Sequence, residues 1–182
     1  MPSKEYTGPL RDYNGDGRWA GPEVLRRYAE YARRLGTEPR DVSPHERDEY
    51  GKRWIYPVMD RVVEGIKAGD PACVLLGIEL IEEDAGMPFG RILKAHAANA
   101  LRRASLTEEQ KWRIRRRVLG MLRAGYVPRE YERYTRLLAR IGFDSGDLDA
   151  IEPDLNLGNP RIARFHAYLR GQRGRAGEDS AR

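Results

Sequence analysis

Five basic residues, Lys111, Arg113, Arg115, Arg116 and Arg117, crowd into seven consecutive positions, with Arg102 and Arg103 before them and Arg123 after. A guanidinium offers a planar fork of N–H donors that fits carboxylate and phosphate oxygens, so such a run can hold an anionic partner. The charge is local. Residues 101–142 contain twelve Lys or Arg against four Asp or Glu, while the flanking stretches are slightly acidic and the whole chain carries +5. Arginines outnumber lysines 28 to five along the whole chain, a bias that a GC-rich genome produces on its own. Two readings follow. Set against phosphates, Arg113, Arg116, Arg117 and Arg123 would displace counterions and bind with marked salt dependence, with Trp112 free to stack on a base or an arginine. Alternatively, the arginine stems cover apolar surface on a solvated face, and Glu108, Glu130 or the acidic segment 144–154 neutralises them.

A second group with chemistry lies near the N-terminus, in DYNGDGRWAGPE. Oxygen-bearing Asp12, Asn14 and Asp16 alternate, Gly17 follows, and Glu23 closes the stretch. This spacing resembles the calcium loop of the EF-hand family. The resemblance implies a Ca²⁺ site in which Asp12, Asn14 and Asp16 point inward together. Arg18 would offer its backbone carbonyl, and Glu23 would complete the shell with both carboxylate oxygens. It covers these twelve residues only: Gly8 and Pro9 stand where the family has an incoming helix, and no second loop follows. A lone loop of this kind implies a structural ion rather than a switch. The competing reading is a pair of turns, Asn14-Gly15 and Asp16-Gly17, leading into a helix.

Catalytic chemistry has little to work with. His45, His96 and His166 stand on separate elements, and no zinc-protease, nucleophile-elbow, phosphate-loop or dinucleotide motif is present. An enzyme would need scattered residues such as Glu79 and His96 to be gathered by folding. The spacing instead turns Glu79 outward with Glu82 and Glu83, and packs His96 at the border of a helix's inner face. Cys73 is the only cysteine, which excludes an internal disulfide and fits a reducing compartment. MPSKEYTGPL has no apolar run and no 18-residue apolar segment exists, so neither a signal peptide nor a membrane span is expected and the protein reads as cytoplasmic.

The elements that must position these residues are helices. At 40% hydrophobic and 34% charged, 182 residues suit one domain with a real core. Thr107 and Gln110 make a capping box, Ile114, Val118, Met121 and Leu122 share a face, and Gly125 supplies a left-handed end with Tyr126 returning onto Met121. Pro128 fits the first turn of a second helix striped by Tyr131, Tyr134, Leu138 and Ile141, and the short linker forces an antiparallel hairpin. Pro22–Leu35 is amphipathic. Ser43-Pro44-His45-Glu46 reads as a capping box opening a helix that continues in phase through Trp54, Val58, Val62 and Ile66, with Pro57 as a kink or a break. Asp70-Pro71 starts a helix apolar almost all round, a buried centre piece in which Gly77 permits close packing. Pro88 restarts a helix with Phe89, Leu93 and Ala97 inward, 144–158 reads as an acidic loop, and Asn159-Pro160 begins a last helix.

The expected fold class is all-α, antiparallel helical hairpins packed as an irregular α-α superhelix or an orthogonal bundle. Residues 1–21 form an irregular segment, 22–170 one helical domain, and 171–182 a disordered tail. The recurring proline starts and glycine ends weakly resemble HEAT and armadillo repeat proteins, which implies a scaffold. The functional expectation is a non-enzymatic interaction module for a protein partner with an acidic surface, clamped at its N-terminal loop by calcium. The alternative is a nucleic-acid backbone binder using the hairpin 101–142.

Overall fold

The computed structural model describes residues 9–176. Among them are eight α-helices: α1 Gly21–Leu35, α2 Val58–Lys67, α3 Pro71–Glu83, α4 Gly90–Leu101, α5 Glu108–Arg123, α6 Tyr131–Ile141, α7 Ser145–Ile151 and α8 Pro160–Ala176. None is long and apolar enough to cross a membrane. The architecture is predominantly α, with one small three-stranded sheet.

Helix α3 is the centre. Ala72, Cys73, Leu76, Ile78 and Leu80 are wholly buried, and α1, α2, α4 and α5 all pack against it. A helix apolar on every side needs partners on every side. Its start is fixed by Asp70, whose Oδ1 accepts from the Ala72 and Cys73 N–H groups at 2.9 and 3.2 Å. The Tyr28 hydroxyl donates to the other Asp70 oxygen at 2.7 Å, tying α1 to that cap. A Cβ at Gly77 would fall 2.5 Å from Ile66 Cδ1, so glycine there sets how closely α2 approaches. Beyond this centre, packing stays near in sequence: α1 on α3, α2 on α4, α3 on α5, α4 on α6, α5 on α7 and α6 on α8.

The hairpin of α5 and α6 forms as its local signals dictate. Thr107 Oγ1 accepts from the Gln110 N–H at 3.2 Å, and Gln110 Oε1 accepts from the Thr107 N–H at 2.9 Å. Gly125 takes φ +73°, which lets the Tyr126 N–H reach Met121 O at 2.9 Å. Tyr131 and Tyr134 are fully buried, and the Tyr131 hydroxyl donates to Val118 O at 2.8 Å across the pair. The second helix begins at Tyr131, so Pro128 occupies the turn before it rather than the first helical turn.

Several expectations are corrected. The helix anticipated from Ser43 is a β-hairpin, β2 Glu46–Glu49 and β3 Lys52–Ile55, turning at Tyr50-Gly51 with φ of +50° and +68°. A third strand, β1 Leu10–Asp12, pairs parallel with β3. These strands carry no apolar alternation to betray them. Asp48 faces Arg53, Glu49 faces Lys52, and Arg53 also pairs with Glu46, so opposite charges across the ladder hold a hairpin that local pattern does not show. Helix α2 therefore starts at Val58, after Pro57. Of the segment 1–21, residues 1–8 lie outside the described residues, and the rest holds β1 and a 3-10 turn at Gly17–Trp19. The acidic segment is anchored by buried Leu148, Ile151 and Leu155, and contains α7 and a 3-10 turn at Glu152–Asp154. Helix α8 runs through 171–176, part of the expected tail, while 177–182 lie outside the described residues. Phe89 is half exposed at φ +57°, and stands edge-on to Tyr13 instead of turning inward.

Candidate functional site

Most of the α5 cations already have acceptors. Arg113 donates to both oxygens of Glu82 at 3.0 and 2.5 Å, and Arg117 Nε donates to the Ile81 carbonyl at 3.3 Å. Arg115 Nε donates to the Gly142 carbonyl at 2.7 Å. Lys111 pairs with Glu108 and Arg123 with Asp154, both at 2.7 Å. The Arg116 guanidinium lies 4.6 Å from the Trp112 ring centre, and that tryptophan is 52% exposed. Trp112, Arg115, Arg116 and Arg123 line a 460 Å³ groove together with Asp144 and Asp147 at the start of α7. This groove is mixed in sign.

The connection between α4 and α5 is different. Arg102 caps the C-terminal end of α4 and Arg103 follows it, and neither has a carboxylate partner among the described residues. They line two clefts. One, of 420 Å³, adds Ile66, Lys67, Asn99 and Ala100; the other, of 330 Å³, adds Ser105, Leu106, Lys111 and Arg140. No Asp or Glu lines either one. Arg140, on the last turn of α6, likewise lacks an acidic partner among the described residues, whereas Lys67 meets Glu64 one turn away at 2.7 Å. Arg140 and Lys67 were not candidates from sequence. They belong to helices distant along the chain, and only packing of α2 on α4 and α4 on α6 gathers them.

Glu79 is the largest departure from the sequence reading. It does not face outward: Arg27, 3% exposed, donates to Glu79 Oε2 at 2.5 Å, and the Tyr31 hydroxyl donates to Oε1. Arg27 also donates to the Arg18 carbonyl at 2.5 Å and lies 4.6 Å from the Trp19 ring centre, whose Nε1–H donates to Glu83 at 3.0 Å. This buried network joins α1 to α3. A second one surrounds Lys94, which pairs with Asp84 and with Glu130 at 3.1 Å, while the Tyr126 hydroxyl donates to Asp84 at 2.5 Å. Burial opposes the Lys94 charge, yet the two carboxylates outweigh it and hold the ammonium above its ordinary value. His96 is exposed rather than packed, so Glu79 and His96 sit in opposite settings. His166 is the buried histidine, with Arg170 Nε 3.2 Å from its Nε2.

The N-terminal loop is a hydrogen-bonded turn. Asp12, at the end of β1, accepts at 2.8 Å from both the backbone N–H and the side-chain amide of Asn14. Asn14 Oδ1 accepts the Val58 N–H at 2.8 Å, the first of α2, which couples the loop to that helix. The Arg18 carbonyl serves Arg27, and Glu23 accepts from Arg26 at 2.6 and 3.0 Å. Asp16 precedes the 3-10 turn and accepts the Trp19 N–H through its carbonyl. Asp12, Asn14, Glu23 and the Arg18 carbonyl thus each accept from a protein donor. Among the described residues no group of three or more His, Cys, Asp or Glu is placed to hold a metal.

Comparison with known proteins finds no matching family model, no matching curated protein and no matching solved structure.

Proposed function

We propose that the chain is a non-enzymatic scaffold built as an irregular α-α superhelix, which receives an acidic protein partner at the α4–α5 turn. Two features support the architecture: α1 to α8 each pack on helices one or two places away in the chain, and α3 packs on α1, α2, α4 and α5. The observation that carries the functional reading is the unneutralised charge of Arg102, Arg103 and Arg140 around two clefts without a lining carboxylate. Folding leaves these cations available while α5 engages its own. Guanidinium groups at such a surface favour carboxylate-bearing partners and raise the encounter rate. The test is calorimetry with a glutamate-rich peptide. Arg103→Glu with Arg140→Glu should weaken binding at least about tenfold, and unchanged affinity sinks the reading.

Nucleic acid is the second reading. Exposed Trp112 with Arg116 over its ring favours it, as a platform on which a base can stack. A mobility shift with duplex and single-stranded oligonucleotides at two salt concentrations separates the two, since phosphate contacts lose affinity steeply with salt.

A further inference from the structure

We infer that the cleft between the C-terminal ends of α2 and α4 is a phosphoryl-binding site, which recognises the acidic partner through a phosphorylated side chain. This rests on the α4–α5 turn being the partner surface. Every ionised group lining the 420 Å³ cleft is a cation, namely Lys67, Arg102 and Arg103, and Asn99 adds an amide donor. A carboxylate presents two oxygens and a single charge. A phosphate monoester carries close to two charges and three strong acceptor oxygens, so it matches three cations and an amide where a carboxylate leaves donors over.

The side chains are also free to engage. The Lys67–Glu64 pair is more than half exposed on both sides, 55% and 61%, so its attraction is screened and it yields to a dianion. Arg102 has its Nε–H enclosed without an acceptor, so packing rather than a carboxylate holds its guanidinium. Arg103 is exposed. Across the ridge of these two arginines, the 330 Å³ cleft with Ser105, Lys111 and Arg140 takes carboxylates that flank the phosphate. The ligand is thus bipartite, a phosphorylated residue beside acidic ones. A rival role for the same cations is to offset the partial negative charge of the two helix ends, and it predicts a different outcome.

The test uses the full chain and three synthetic peptides of one glutamate-rich sequence, carrying at the centre serine, phosphoserine or a charge-matched pair of glutamates. By calorimetry the phosphopeptide should bind about tenfold tighter than either control, and inorganic phosphate should compete away that advantage. Lys67→Gln should abolish the preference while leaving affinity for the serine peptide within about twofold; Arg103→Gln should also abolish it but weaken all three peptides, and circular dichroism should be unchanged in both. Equal affinity for all three peptides overturns the phosphoryl site but keeps the acidic-partner surface. Binding of none overturns both. A lowered melting temperature in Arg103→Gln with the preference intact assigns the cations to the helix ends and overturns the proposal. An oligonucleotide that outbinds the phosphopeptide overturns it in favour of the nucleic-acid backbone.

Discussion

The arginines of α5 and those at the α4–α5 turn belong to one basic stretch of sequence, yet the fold treats them oppositely. Arg113, Arg115, Arg117 and Arg123 each find a carboxylate or a carbonyl, whereas Arg102, Arg103 and Arg140 find none among the described residues. The difference follows from position. Helix α5 lies against the C-terminal end of α3, where Glu82 and the Ile81 carbonyl wait, and against the acidic segment that follows α6. The turn sits where α2, α4 and α6 end with no acid lining the clefts. Local charge density therefore marks where cations are, and packing decides which of them remain available. Arg27 is the extreme of the neutralised kind, almost wholly enclosed with Glu79.

The comparison breaks most visibly at that extreme. Glu79→Ala leaves the Arg27 guanidinium buried without its carboxylate, and stability should fall by about 3–5 kcal/mol. Thermal denaturation should register roughly 2–4 °C per kcal/mol in a domain of this size. A melting temperature unchanged within a degree would show that the pair is not buried as described.

Alkaline titration isolates the enclosed groups, because arginines keep their charge while tyrosines do not. Burial, assisted by Asp70, raises the Tyr28 hydroxyl to about 12, and burial alone pushes Tyr131 up as well. A raised value in the folded state means the neutral form is favoured there. This contribution is full below pH 10 and is lost as pH rises toward about 12. Circular dichroism should follow cooperative unfolding in that window, and a Tyr28→Phe variant should lose part of the slope. A flat profile through pH 12 would count against tyrosine burial.

Smaller effects separate the two groups of arginines directly. Arg113→Ala, whose ion pair with Glu82 is about four-fifths enclosed, should cost about 1 kcal/mol and leave peptide binding intact. Arg103→Ala should do the reverse, moving stability by less than about 0.5 kcal/mol while weakening the glutamate-rich peptide. Matched losses in both properties for both variants would erase the distinction. At the N-terminal loop, calcium at millimolar concentration should raise the melting temperature by less than about 1 °C, because its oxygens serve Val58, Arg26 and Arg27. A larger rise that disappears in Asp16→Ala would establish the calcium site.

The sequence by itself determined the helices whose signals are local. Thr107 and Gln110 close their capping box, Gly125 turns left-handed, and Asp70-Pro71 opens a buried helix, because each depends on residues within one or two turns. It also placed the basic stretch and offered its neutralisation by the segment after Phe143 as one of two readings; in the fold Arg123 pairs with Asp154 of that segment. The β2–β3 hairpin was illegible because its strands are held by paired charges instead of an apolar face. Glu79 was misplaced because helical periodicity ranks charged residues as outward and cannot see an arginine arriving from 52 residues away. The same limit governs the candidate site. Lys67, Arg102, Arg103 and Arg140 come from three helix ends, and only packing of α2 on α4 and α4 on α6 gathers them, since such proximity is a property of the fold and not of spacing along the chain.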